Sequence, residues 1–271
     1  MKLGMFSKDG GTLLSAWQVG SLRILSAGLA LLPFALGAFR RVAKEKMGLV
    51  MVSGWLGSFI PAVLFCLAEL HINSALAGTL NSITPLITLL MGWLMFKAPF
   101  EKSRAIGILV GLAGSIMLLA SQSGSPGPEA HYGLLVVAAT FCYALNVHLV
   151  KQKLSSIPSI DIAALAFAGL IPFSLGVLVV SGFFSHPLSS PAFTRAIMAS
   201  ATLGVVGTAM ATIIFYKLVK QAGPVFASLV TYGIPFVAIG WGVIFGENIS
   251  PFQWVSLAFI LAGVYLSNRN I

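Results

Sequence analysis

Long apolar runs alternate with short polar junctions from one end of the chain to the other. Taking about 20 apolar residues per membrane crossing, nine runs qualify. They lie near 13–38, 48–69, 74–96, 104–121, 132–151, 160–183, 196–216, 223–245 and 252–268. The junctions are charged or rich in proline and glycine, as in RRVAKEK (40–46), SQSGSPGPEAH (121–131) and GENISP (246–251). A transmembrane barrel needs residues that alternate between lipid and lumen, and these continuous runs exclude one. The pattern predicts an all-α polytopic membrane protein with nine transmembrane helices. The longest junction, 122–131, reads as a linker between two halves, 1–121 and 132–271.

Composition agrees with that class. The chain is 58% hydrophobic and 8% charged, against about 25% charged in a soluble domain. The net charge of +9 does not mark a nucleic-acid surface, because the basic residues sit between apolar runs. They act instead as orientation signals. Alternate junctions carry Arg40, Arg41, Lys44, Lys46, Lys97, Lys102, Arg104, Lys151, Lys153, Lys217, Lys220 and Arg269, while the opposite side has Lys2, Lys8 and Arg195. Twelve against three puts the C-terminus in the cytoplasm and, with nine spans, the N-terminus outside. The N-terminal residues carry no secretory signal pattern. Cys66 and Cys142 lie in apolar runs without metal-ligand spacing and read as small fillers. No metal or cofactor is implied.

Two runs share an unusual feature. NSITPLITLLMGWLMFK (81–97) and TYGIPFVAIGWGVIFGE (231–247) each place a proline and polar groups inside apolar sequence. With Pro85 aligned to Pro235, Ala77 meets Ala227, Leu80 meets Val230, Gly92 meets Gly242 and Lys97 meets Glu247. With one residue of slack, Gly107 meets Ser256 and Gly114 meets Gly263. The loop at 97–104 is basic, whereas its counterpart at 246–251 has no Lys or Arg, so the copies are inverted across the membrane. Inverted repeats are characteristic of secondary transporters, whose site lies near the midplane between the halves. Inversion needs an odd number of helices per half. The second half has five and the first four, which leads us to expect a further helix ahead of Met1.

The residues SLRILSAGLALLP (21–33), LAELHINSALAGTLNSITPLITLLMGWLMF (67–96) and FYKLVKQAGPVFASLVTYGIPFVAIGWGVIFGENISPFQWVSLAFILAGVYL (215–266) resemble the EamA-type members of the drug/metabolite transporter superfamily. The resemblance covers nearly the whole chain and implies five plus five inverted helices around a central cavity for amino acids, other metabolites or drugs. The chain departs from the family in lacking its first helix, which helps line the cavity. Lys97 also stands where the family has a glutamate, kept in the second copy as Glu247.

Candidate chemistry follows from polar groups at membrane depth. Pro85 and Pro235 each withdraw a backbone donor, tolerated in a membrane only where the freed carbonyl finds a partner or lines a cavity. Each is read as a hinge or as a static kink. Arg23 lies about ten residues into the first span, where a charge costs roughly 2.5–3.5 kcal/mol. A structural tie is favoured for it over an anion-binding role. Trp55, Ser58, Asn81, Thr84, Tyr143, Asn146, Thr208, Thr212, Ser228, Thr231 and Tyr232 are substrate-cavity candidates on the segments that the resemblance places around the cavity. Each singly also serves as helix–helix glue. No acid lies deep in a span: Glu69 and Glu247 sit at outer helix ends, Glu101 and Asp161 at inner ones. His71 belongs to an outer loop and His148 to the inner interface. Gly107, Gly111 and Gly114 form a close-packing face, read as internal rather than as a homodimer contact.

These expectations converge on a secondary transporter of the cytoplasmic membrane, an exporter of a small polar or amphipathic solute. Its partners would be that solute and the bilayer. An intramembrane enzyme would need a nucleophile with its base, or clustered His and acids, at depth; four His and seven acids, nearly all at interfaces, argue against it. A non-transporting membrane receptor or assembly partner is the remaining alternative.

Overall fold

The computed structural model describes residues 13–72, 74–121, 131–185, 190–237 and 250–268. Among them the chain is helical, without strands. We number the helices α1 (Ala16–Arg41), α2 (Lys44–Glu69), α3 (Ser74–Asn81), α4 (Thr84–Phe96), α5 (Lys102–Ser121), α6 (Gly133–Lys153), α7 (Ser159–Val180), α8 (Pro191–Ala222), α9 (Pro224–Val237) and α10 (Pro251–Asn268). Among the described residues seven spans are long and apolar enough to cross a membrane, with α3 and α4 sharing one of them as Leu76–Phe96; α9 and α10 are shorter apolar helices. Each of the nine expected runs contains helix among the described residues, seven of them as spans long enough to cross a membrane. The second copy's loop with Glu247, most of the linker, and Gly242, Lys2, Lys8 and Arg269 lie outside the described residues.

Two helix starts use a reciprocal cap written in the sequence as Ser-x-x-Gln. Before α1, Gln18 N–H donates to Ser15 Oγ at 3.2 Å and Ser15 N–H to Gln18 Oε1 at 2.9 Å. Before α10, Gln253 N–H donates to Ser250 Oγ at 3.3 Å and Ser250 N–H to Gln253 Oε1 at 2.8 Å. Four amide donors that a helix start would leave unpaired are thus satisfied. Helix α4 ends where Lys97 turns left-handed (φ 53°) and Ala98 N–H returns to Gly92 O at 2.9 Å.

The chain packs as two compact units, residues 1–70 with 149–221 and residues 71–148 with 222–271. In the first, α1 lies along α7. Gly28 abuts Phe167 and Ile171, and Gln18 Nε2 donates to Ser181 O at 2.9 Å, so the two run antiparallel. At one end of this unit Arg41 holds the buried Asp161 through two hydrogen bonds of 2.6 and 3.0 Å. There, lysines satisfy carbonyls at helix ends: Lys46 bonds Lys153 O, Lys151 bonds Lys220 O, and Lys220 bonds Ile157 O. In the second unit α5 lies along α10, with Gly107 against Ser267, Gly111 against Gly263, and Gly114 against Ser256 and Ile260. Falling partner numbers again mean antiparallel helices. The glycine face is thus filled from within the chain, since a Cβ on Gly114 would stand 2.8 Å from Ile260 N.

Helices α5 and α10 are the aligned fourth and ninth runs of the sequence repeat. Their antiparallel contact is what an inverted repeat requires, because a parallel repeat would carry its copies in one direction.

Candidate functional site

The candidate residues divide between the two units, and local geometry sets what each can offer. In the second unit, the two prolines do not bend intact helices. The chain breaks one turn earlier, between Asn81 and Thr84, and Pro85 takes the first turn of α4, where its missing donor costs nothing. The carbonyl that a residue at 85 would have bonded, Asn81 O, instead accepts the Thr84 hydroxyl at 2.6 Å. Thr84 also reaches Asn81 Oδ1 at 3.2 Å. In the second copy the α-helix tightens to a 3₁₀ turn over Leu229–Gly233 just before Pro235, and Ile234 N–H donates to Thr231 O. Both proline-freed carbonyls are therefore engaged, and both breaks rest on bonds within one or two turns.

Several hydroxyls in this unit bond back to their own turn. Ser228 Oγ donates to Val225 O at 2.6 Å and Thr231 Oγ1 to Ser228 O at 2.9 Å. Tyr232 is buried and crosses to α5, donating to Ile108 O at 2.7 Å while its ring covers Gly111. Asn146 is buried and Tyr143 half-buried on α6. His148 is buried: its Nε2 lies 2.9 Å from Thr88 O and its ring stacks on Phe96 at 4.6 Å. His71 is in a turn, with its ring stacked on Tyr132 at 3.6 Å.

The first unit holds Arg23, Trp55, Ser58, Thr208 and Thr212. Here sequence reasoning missed a feature: α2 widens to a π turn over Trp55–Phe59, and α8 does the same over Val205–Met210. The two turns stand 150 residues apart, the offset that relates Pro85 to Pro235. They place the buried Ser58 and Thr208 at equivalent positions. π turns recur at functional sites because a widened turn frees a carbonyl and shifts the side chains that follow. At Val205–Met210 the Thr208 hydroxyl bonds Leu203 O at 3.1 Å, five residues back, and Arg23 Nε donates to the same hydroxyl oxygen at 2.6 Å. In the other π turn, Trp55 and Phe59 form an edge-to-face cluster with Phe173, with centroids 4.6–5.2 Å apart. Thr212 is half-buried one turn beyond Thr208.

A separate groove of about 640 Å³ lies along α7, walled by Trp17, Pro172, Phe173, Val177 and Val180. Its walls are apolar and contain none of the candidate residues, so it suits acyl chains better than a polar solute. Ser21 and Ser174 keep buried hydroxyls without a hydrogen-bond partner among the described residues. Ser21 lies about 200° around α1 from Arg23 and so belongs to a different face. Among the described residues no group of three or more His, Cys, Asp or Glu converges as a metal site would need.

Known proteins resemble the chain along most of its length. The model of the EamA-like transporter family matches residues 3–120 and again 132–269. The chain is 24% identical over 254 residues to the inner membrane transporter YedA of Escherichia coli (strain K12), spanning 92% of this chain and 80% of that protein. It is 26% identical over 256 residues to the transporter YvbV of Bacillus subtilis (strain 168), spanning 92% and 81%. A crystal structure with 18% sequence identity superposes with a TM-score of 0.70, covering 95% of this chain and 90% of the other. That likeness is one of fold.

Proposed function

The chain belongs to the EamA-like transporter family, and from that premise we propose a secondary transporter that exports a small metabolite by alternating access. The observation that carries the reading is the paired breaking of helices. Copies related by inversion lose α-helical geometry at matched places, twice as π turns and twice beside prolines. Broken helices in inverted copies are the parts from which secondary transporters build a midplane site. They are also where two backbone arrangements differ by few hydrogen bonds. With the Thr84, Ser228 and Thr231 donors spent within their own turns, the candidate set offers hydroxyl oxygens, amides and rings, which suit a zwitterionic or weakly polar solute.

Purified protein in liposomes tests the reading. Uptake of at least one member of a panel of labelled amino acids, other small metabolites and cationic drugs is expected above protein-free vesicles. Uptake of none would contradict it and favour a receptor or assembly role.

The positive-inside count supports a cytoplasmic C-terminus in the inner membrane, the location named for YedA. In a background with Cys66 and Cys142 replaced by alanine, Lys102→Cys and Ser250→Cys lie at exposed positions on equivalent loops of the two copies. An impermeant maleimide added to intact cells is expected to label Ser250→Cys at once, and Lys102→Cys only after the membrane is opened. Labelling of both from one side would contradict the orientation.

A further inference from the structure

Arg23 carries a charge with no ion-pair partner among the described residues. It stands about 10 Å along α1 from Ala16, within an apolar span, and is only partly buried. The described carboxylates of its unit are Glu45, Glu69 and Asp161. Asp161 is committed to Arg41, and Arg23 makes no ion pair among the described residues. Its Nε donates to Thr208 Oγ1 at 2.6 Å, while Nη1 and Nη2 have no hydrogen-bond partner among the described residues. An intramembrane guanidinium facing lipid is costly, so its uncovered edge has to face protein or water.

Resting on the transporter reading above, the geometry points to Arg23 as the receptor for a carboxylate on the transported solute. The Nε bond fixes the plane and rotation of the guanidinium, which leaves its Nη1–Nη2 edge to meet both oxygens of one carboxylate. Thr208 can hold that pose because the π turn lets its hydroxyl donate to Leu203 O and accept from Arg23. Gly204, one turn earlier on the same face, lets α8 close directly onto the Arg23 carbonyl and Ser26 Oγ, where any Cβ would collide. One guanidinium neutralises one negative charge, so the site favours a monocarboxylate over a dianion such as phosphate. Thr208 is a positioning residue, and Arg23 is the group that touches the solute.

The test compares matched acids and amides, such as benzoate with benzamide and lactate with lactamide, as labelled solutes for reconstituted protein. A second readout, protection of purified protein from thermal unfolding by the same solutes, does not need transport. Wild type is expected to prefer the acid about tenfold or more, and Arg23→Gln to erase that preference through the acid's KM. Thr208→Val keeps the charge and is expected to retain the preference with a KM raised only a few-fold. Loss of acid and amide alike in both variants would make Arg23 a structural tie and overturn the proposal without touching the transporter reading. A wild type that carries amides but no acids, or an Arg23→Gln protein that keeps the preference, would also overturn it. Absent uptake with Arg23-dependent acid protection would remove transport and keep the site. Absence of both would remove both.

Discussion

Replacing Gly263 by alanine is expected to lower the melting temperature of the purified protein, and replacing it by leucine to abolish the folded yield. On Gly263 a Cβ would fall on the backbone of Gly111 and within 2.6 Å of Gly107 O. Neither is a flexible side-chain end, so α5 and α10 have to separate. Overpacking of this kind costs about 1–3 kcal/mol for one methyl group and more for a branched chain. The loss would propagate to Tyr232, whose ring rests on Gly111 and whose hydroxyl bonds the α5 backbone. Gly48 and Gly176 are the controls, since nothing lies within 4 Å of a Cβ at either. There alanine is expected to be neutral or to raise stability by up to about 1 kcal/mol, the helix-propensity difference. Melting curves in one detergent would check the contrast, and equal effects at all three positions would refute close packing as its cause.

The paired change Pro85→Ala with Pro235→Ala is expected to leave the protein folded and to slow its transport. Alanine restores an amide donor at each position, and Asn81 O and Thr231 O are the carbonyls four residues back. Each new backbone hydrogen bond favours the unbroken helix by about 1 kcal/mol. Two together make about 2 kcal/mol, a shift of roughly 30-fold in the balance between broken and continuous forms. Turnover should fall with it, each single change producing about the square root of the effect. Initial uptake rates in vesicles of matched protein content would show this. Unchanged kinetics in both single variants and in the pair would eliminate the hinge and leave the prolines as static helix starts.

Much of the fold was legible because a bilayer imposes one length on every crossing. The nine runs needed only hydropathy, and the repeat needed only Pro85 with Pro235 and Gly114 with Gly263. Less visible were features without a residue signature. The sequence WLGSF (55–59) has no marker for a π turn, and neither has VVGTAM (205–210). Only the 150-residue offset, applied to the whole chain, could have paired them. Each proline was expected as a hinge or a static kink, and the break lies ahead of it instead. Its place is set by Thr84 and by the 3₁₀ turn at Leu229–Gly233, which compete with the helix for the same carbonyls.

The candidate site was legible as a set of residue types and not as an arrangement. Thr84, Ser228 and Thr231 spend their donors within their own turns, which no pattern of polar positions foretells. Arg23 was visible as an expensive charge. Its one neutral partner, 185 residues away, depends on helix packing that the sequence does not display.

Solute counterflow tests alternating access most directly. Vesicles holding the purified protein are loaded with an excess of one unlabelled solute that it takes up, then diluted into a trace of the same solute bearing a label. A carrier that exposes one site to each side in turn accumulates the label transiently above equilibrium, and that overshoot is the predicted result. A label that rises only to equilibrium, with no overshoot at any loading, would mean a continuous pore and would contradict alternating access.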